Sequence, residues 1–212
     1  MSSVQKTQDF LEVLKSRRSV RYYDSSVKIS REEMTQMLEE ATLAPSSVNM
    51  QPWRFAVIES DEAKAKLLPL AKFNGNQVQT SSAVLAVFGD LNFTEYADEI
   101  FTKAVELGYM PQEIKDQQLA SYLPLLNGMP TEMKRDSVLI DAGLVSMQFM
   151  LVARAHGYDT NPIGGYDKEK VTEAFGFDPA RHVPVMLISI GKAAKEGHSS
   201  SRLDVARTTE WH

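Results

Sequence analysis

Between Pro130 and Gly157 the chain carries one long helical segment whose large apolar residues, densest from Val138 to Ala155, fall on nearly every side of the helix instead of in a single stripe. A helix of that kind has no face to give to water. It must lie at the centre of a core or be covered by a second copy of the chain, and the homodimer is the simpler arrangement in a protein of 212 residues. Asp141, Ser146, Gln148 and Arg154 interrupt the apolar run, so it reads as a buried helix and not as a bilayer span.

The remaining pattern places elements around that helix. Phe10, Leu11, Val13 and Leu14 have helical spacing and end in a basic cluster, which therefore sits at or just past a helix C-terminus. Ser30-Arg31-Glu32-Glu33 reads as a capping box for a helix striped by Met34, Met37, Leu38 and Ala41 and ended by Pro45. Residues 54–59 have strand composition, a helix is expected over about 61–71, and residues 83–88 form a continuous apolar run suited to a central strand. Residues 94–126 are helical but more polar, with breaks expected near 108–111 and near Pro124, and would cover a site. Residues 161–167 read as a turn into a helix capped by Asp167, residues 183–190 as a strand, and the tail 191–212 as an irregular C-terminal extension. Helices outnumber strands, which gives an α+β fold with a sheet flanked by helices, in one domain spanning 1–212.

Composition removes several function classes. A net charge of −5 argues against a general nucleic-acid binder, so any anion site is local. There is no cysteine, which excludes disulfides, thiolate nucleophiles and thiolate-bound metals and fits a reducing cytoplasm. Met1–Lys6 lacks the apolar core of a secretion signal, and a cytoplasmic protein with no membrane association is expected. His156, His182, His198 and His212 have no metal-ligand spacing, and neither a nucleophile elbow nor a dinucleotide fingerprint occurs, so no metal is expected. Without a nucleophile, triad or metal, a bound cofactor is left to carry any chemistry.

Two segments suit a phosphorylated, ring-bearing cofactor. In Ser16-Arg17-Arg18-Ser19-Val20-Arg21 three guanidiniums and two hydroxyls fall within six residues, and Lys192, Lys195 and Arg202 in the tail could converge on the same dianion. The bland alternative is a solvated basic helix end. In Pro45-Ser46-Ser47-Val48-Asn49-Met50-Gln51-Pro52, Asn49 and Gln51 carry both donors and acceptors, as reading a heterocycle requires, although the same residues make ordinary turns. Gly164-Gly165 is either a tight turn or a place where a backbone N–H can approach a flat ring.

These motifs, Ser-Arg-Arg-Ser-Val-Arg-Tyr-Tyr, Ala-Pro-Ser-Ser-Val-Asn-Met-Gln-Pro-Trp and Asn-Pro-Ile-Gly-Gly-Tyr, in this order around a long apolar helix, resemble the nitroreductase family from about Phe10 to Arg202. The resemblance implies a mainly antiparallel sheet and an intertwined homodimer with FMN at the subunit interface, each flavin touched by both chains. Arg17, Arg18, Ser19 and Arg21 would hold the phosphate and the pyrimidine edge, joined by Lys192 and Arg202. Pro45, Ser46, Ser47, Asn49 and Gln51 would come from the other subunit. Asn74 and Gln77 would contact the ring or ribityl chain, with Gln77 standing where some relatives have lysine. Pro162, Ile163, Gly164 and Gly165 would lie along one ring face, with the Gly164 N–H directed at N5.

The activity implied is ping-pong transfer of hydride from NAD(P)H through FMN to nitroaromatics, quinones or similar small electron-poor acceptors, with no obligatory catalytic side chain. A dehalogenating or oxidase-like enzyme of the same fold, and a flavin carrier or sensor without turnover, are the alternatives.

Overall fold

Every residue of the strand Ala83–Asp90 (β2) is buried, so this run is covered on both faces. It is the second strand of a four-stranded sheet in the computed structural model, which describes residues 9–212; the reading of Met1–Lys6 lies outside the described residues. The other strands are β1 (Trp53–Ile58), β3 (Asp159–Ile163) and β4 (His182–Gly191). Their order is β1-β2-β4-β3 and every pairing is antiparallel, with Ala86 opposite Ala56 on one side and opposite Leu187 on the other. The fold is α+β, as the sequence leads one to expect.

Helices cover the two faces differently. On one side lie α2 (Arg31–Ala41) and the long helix α7 (Thr131–Ala155), whose Ala142, Val145, Phe149 and Ala153 pack with Met37, Leu85 and Ile188. On the other lie α3 (Asp61–Leu67), α4 (Gly75–Thr80) and α8 (Lys168–Ala174), which bury Leu67, Val78 and Val171 against Val84, Phe88 and Leu187. A third cluster, built on Phe93, Phe101, Leu126 and Val138, joins α7 to α5 (Ala97–Glu106) and α6 (Gln112–Asn127). Helix α7 is long and apolar enough to cross a membrane, yet its inner stripe from Val138 to Ala153 forms the core beneath the sheet.

Local chemistry explains most boundaries. Ser30 caps α2, its hydroxyl accepting the Glu33 N–H at 3.1 Å. The reciprocal half of the expected box is diverted, because the Glu33 carboxylate takes the Tyr158 hydroxyl at 2.7 Å instead. Asp167 caps α8 through the Lys170 N–H, as read from the sequence.

Three expectations are corrected. The helix from Asp61 stops at Leu67 and tightens to a 3-10 turn over Leu68–Leu70, because Pro69 has no N–H to continue the ladder. Helix α6 does not break at Pro124 but runs on to Asn127, since a proline in the last turn forfeits only one bond. Asn161-Pro162-Ile163 is not a turn but the second half of β3. Among the named strands of the described residues it pairs with β4 alone, and a strand at the edge of the sheet tolerates Pro162 in register with Ile188.

Candidate functional site

Helix α1 (Phe10–Ser16) ends with Arg17 as its C-cap, and the chain then runs extended along the start of β3. Ser19 forms an isolated parallel bridge with Thr160, and the Val20 N–H donates to the Thr160 carbonyl at 3.0 Å. On the far side Asp24 N–H donates to Lys192 O at 2.8 Å, which draws the C-terminal segment alongside. A cleft of about 540 Å³ opens here, lined by Arg17, Arg18, Ser19 and Arg21 together with Lys15, Ser200 and Arg202. Arg17 and Arg18 are half-buried, and among the described residues no carboxylate pairs with either or with Arg21. Arg18 donates only to the carbonyls of Lys15, at 2.6 Å, and Arg17, at 3.0 Å. Guanidiniums gathered without a counter-charge leave strong donors for an anion in a protein that is acidic overall.

Arg21 also lines a second cleft of about 340 Å³, so the two adjoin at this residue. The second cleft is walled by Phe73, Asn74, Gln77, Asn161, Pro162, Ile163 and Gly164. Gln77 is buried to 6% exposure, and its amide donates to Asn74 Oδ1 at 3.2 Å, while Asn74 Nδ2 donates to Gly165 O at 3.0 Å. This relay fixes both amides at the wall of the cleft.

Gly164 separates two explanations for its lack of a side chain. Its φ is not positive, and a Cβ built there meets no protein atom within 4 Å. Neither backbone conformation nor packing within the described residues demands glycine, and the open space at its Cβ position gives a flat group room to approach the backbone.

The loop Pro45–Pro52 does not line either cleft of its own chain. It is the most constrained backbone in the described residues: Val48, Asn49 and Gln51 all lie in the left-handed region, at φ 51°, 56° and 47°. For β-branched Val48 that conformation costs on the order of 1–2 kcal/mol, and it persists only because its surroundings impose it. Ser46 Oγ accepts the Gln51 N–H at 3.0 Å, and the Ser47 N–H lies 3.1 Å from each oxygen of Asp141. Asp141, on α7, is 3% exposed, and burial pushes its carboxyl up despite the hydrogen bonds from Ser47. Sequence reasoning registers Asp141 only as an interruption of an apolar helix, because its partner lies in a distant loop.

The tail residues divide. Arg202 reaches the first cleft, its guanidinium donating to Ser200 Oγ at 2.7 Å. The Lys192 ammonium instead donates to Gly157 O and sits 4.3 Å over the Tyr158 ring, and Lys195 lies 4.7 Å over the Tyr22 ring. His198 and Ser199, which no sequence motif singles out, also line the first cleft.

On the outward side of α7, Ile140, Leu144 and Met147 are exposed, and a groove of about 480 Å³ runs past Phe10, Pro45, Leu144, Met147 and Leu151. Gly143 lies on the same side with no atom within 4 Å of a Cβ built upon it. A glycine in a helix interior costs about 1 kcal/mol relative to alanine, so an open space there suits another backbone approaching closely.

Comparison with known proteins places these features in a family. The model of the nitroreductase family matches residues 14–192. YdgI of Bacillus subtilis, which bears the name of an NAD(P)H nitroreductase, is 64% identical over 97% of this chain and 99% of its own length. A CLA biosynthesis enone reductase from Lactiplantibacillus plantarum is 43% identical over 96% of this chain and 94% of its own. Among solved structures, a nitroreductase of Exiguobacterium sibiricum in complex with FMN superposes with a TM-score of 0.95 at 60% identity, covering 98% of this chain and 99% of that one.

Proposed function

The chain belongs to the nitroreductase family, and from that premise we propose that it is a cytoplasmic, homodimeric FMN oxidoreductase that takes hydride from NAD(P)H and delivers it to small electron-poor acceptors by a ping-pong cycle. One observation carries the reading: three guanidiniums with no carboxylate partner among the described residues adjoin, through Arg21, a cleft whose wall is left bare at Gly164. The donor set fits FMN. Arg17, Arg18, Ser19 and Arg202 offer charge-assisted hydrogen bonds to a terminal phosphate, and Lys192 can join them if its ammonium leaves Gly157. Arg21, Asn74 and Gln77 offer donors and acceptors to a ring edge and ribityl chain.

When bound, FMN supplies reversible hydride acceptance and donation, chemistry that no side chain of this protein possesses. The chain's own part is orientation and charge. The exposed Gly164 backbone lets a planar ring lie against β3, with Pro162, Ile163 and Gly165 along the same face. Arg21, which lines both clefts, would supply fixed positive charge to the negative charge that develops on a bound flavin when it is reduced. One shared face for donor and acceptor requires the first to leave before the second enters, and solvent can supply the accompanying proton.

Pro45, Ser46, Ser47, Asn49 and Gln51 complete the site from the second subunit in this reading, since their loop borders the apolar groove of α7 and not the clefts of its own chain. The outward residues of α7, with Gly143 between them, form the matching surface. Residues 1–212 act as one domain, the helices over 94–126 set acceptor selectivity, and the extension 191–212 brings Arg202 to the phosphate end.

Nitroaromatics and quinones are the expected acceptors, and the 43% identical enone reductase adds conjugated enones as a class to assay beside them. The binding half of the proposal is tested by purifying the protein, denaturing it and identifying the released chromophore. Release of one FMN per chain supports the reading, whereas a colourless protein that takes up no added FMN overturns it.

A further inference from the structure

Asp141 is a buried carboxylate on the helix that also presents the outward apolar stripe, and among the described residues it has no cationic partner. What it does have is Ser47. The Ser47 N–H lies 3.1 Å from both carboxylate oxygens, and the Ser47 hydroxyl donates to Oδ1 at 3.2 Å. One turn earlier on α7, Ser137 donates to the Ser47 hydroxyl at 3.1 Å, so two groups at i and i+4 hold the same residue.

Immediately beyond Ser47 come the left-handed residues Val48 and Asn49, then Gln51, whose N–H returns to Ser46 Oγ at 3.0 Å. A buried carboxylate is costly unless its hydrogen bonds are made, and left-handed Val48 is costly unless its neighbours impose it. Each cost is met by the same contact. Leaving Ser47 free would orphan the carboxylate, and the loop is thereby driven into one conformation.

We propose that Asp141 is a positioning residue: its carboxylate fastens Ser47 to α7 and so holds residues 46–51 in the one conformation, left-handed at Val48, Asn49 and Gln51, that closes on the flavin of the opposite subunit. The inference rests on the FMN reading above. It adds a physical link between the subunit-contact helix and the cofactor loop, because Asp141 lies between Ile140 and Gly143 on α7, while Pro45 lines the same groove as Leu144 and Met147. Asp141 itself touches no reacting atom in this arrangement; it acts through Ser47.

The test combines FMN affinity with hydrogen exchange of the segment 45–52 in the FMN-free protein. Asp141→Asn keeps an oxygen for the Ser47 N–H, whereas Asp141→Ala keeps none. We expect Asp141→Ala to weaken FMN binding at least tenfold and to speed exchange at the Ser47 amide at least tenfold, with Asp141→Asn within about threefold of the parent in both. If Asp141→Ala does not fold, Asp141→Ser, whose shorter side chain cannot span to the loop, carries the same expectation.

Parent-like FMN affinity and exchange in the alanine or serine variant overturns the inference, as does failure of both variants to fold, which would make Asp141 a stability residue. Failure of the asparagine variant to rescue overturns it too. A parent protein that takes up no FMN defeats the functional reading instead, and the exchange contrast still judges the tether.

Discussion

The Val20 N–H donates to the Thr160 carbonyl at 3.0 Å. That bond, with the bridge from Ser19 to Thr160, carries the arginine cluster from the end of α1 onto the edge of the sheet beside Pro162 and Gly164. Two segments remote in sequence are thereby brought to adjoining clefts, which the proposed reading takes as the phosphate end and the ring end of one site.

Arg21 lines both clefts, so its removal should be felt by the whole cofactor. Arg21→Ala and Arg18→Ala are each expected to weaken FMN binding by about 1.5–3 kcal/mol, roughly tenfold to a hundredfold. Flavin fluorescence titration of each variant measures this directly, and parent affinity in both would return the cluster to a solvated helix end.

Gly164→Val adds a side chain where no protein atom lies within 4 Å. The FMN-free variant should melt within about 0.5 kcal/mol of the parent, as at a tolerant surface position. Its FMN affinity should fall at least tenfold. Equal affinity would mean that the clearance at Gly164 is not occupied by the ring.

Gly143→Leu separates helix stability from association. Leucine is the better helix former by about 1 kcal/mol and its Cβ would have no atom of the described residues within 4 Å, so the isolated subunit should not be weakened. The dimer should be. Sedimentation velocity at micromolar protein is expected to show a shift from dimer towards monomer, and an unchanged dimer would remove Gly143 from the interface.

Asp90 provides a pH signature of the fold. It is fully buried at the end of β2, and desolvation, which would raise its pKa, is outweighed by bonds from Arg181 and Asn92 and by the charge of Arg54. Its carboxyl is therefore held below the ordinary 3.8. A group depressed in the folded state adds stability above its unfolded pKa, and that stability is lost as pH falls through the lower folded value. Asp90→Asn should cost about 2–4 kcal/mol at pH 7, where Arg54 loses its carboxylate partner and Arg181 is left with Glu95. Thermal melts should show the difference persisting at pH 5 and shrinking below pH 4. A pH-independent difference would contradict the assignment.

Much of the architecture is legible because it rests on local pattern: the apolar circumference of α7, the buried run of β2, and the caps Ser30 and Asp167. What is not legible depends on distant partners. Asn161 and Pro162 have turn chemistry, and only pairing with β4 makes them strand. Nothing in Val48 announces a left-handed backbone, since a β-branched residue avoids it and the tether to Asp141 is a tertiary contact. The arginine cluster is legible because charge density is a property of the sequence itself. The direction of Lys192, towards Gly157 and Tyr158, depends on packing that no spacing encodes.

The most direct test of the account is an anaerobic titration of the FMN-loaded protein with NADH and NADPH, followed by a nitroaromatic, a quinone or an enone, with the flavin absorbance recorded throughout. The account predicts stoichiometric bleaching by at least one nicotinamide and recovery of the oxidised spectrum on adding acceptor. Bleaching by dithionite alone, with neither nicotinamide effective, would contradict it.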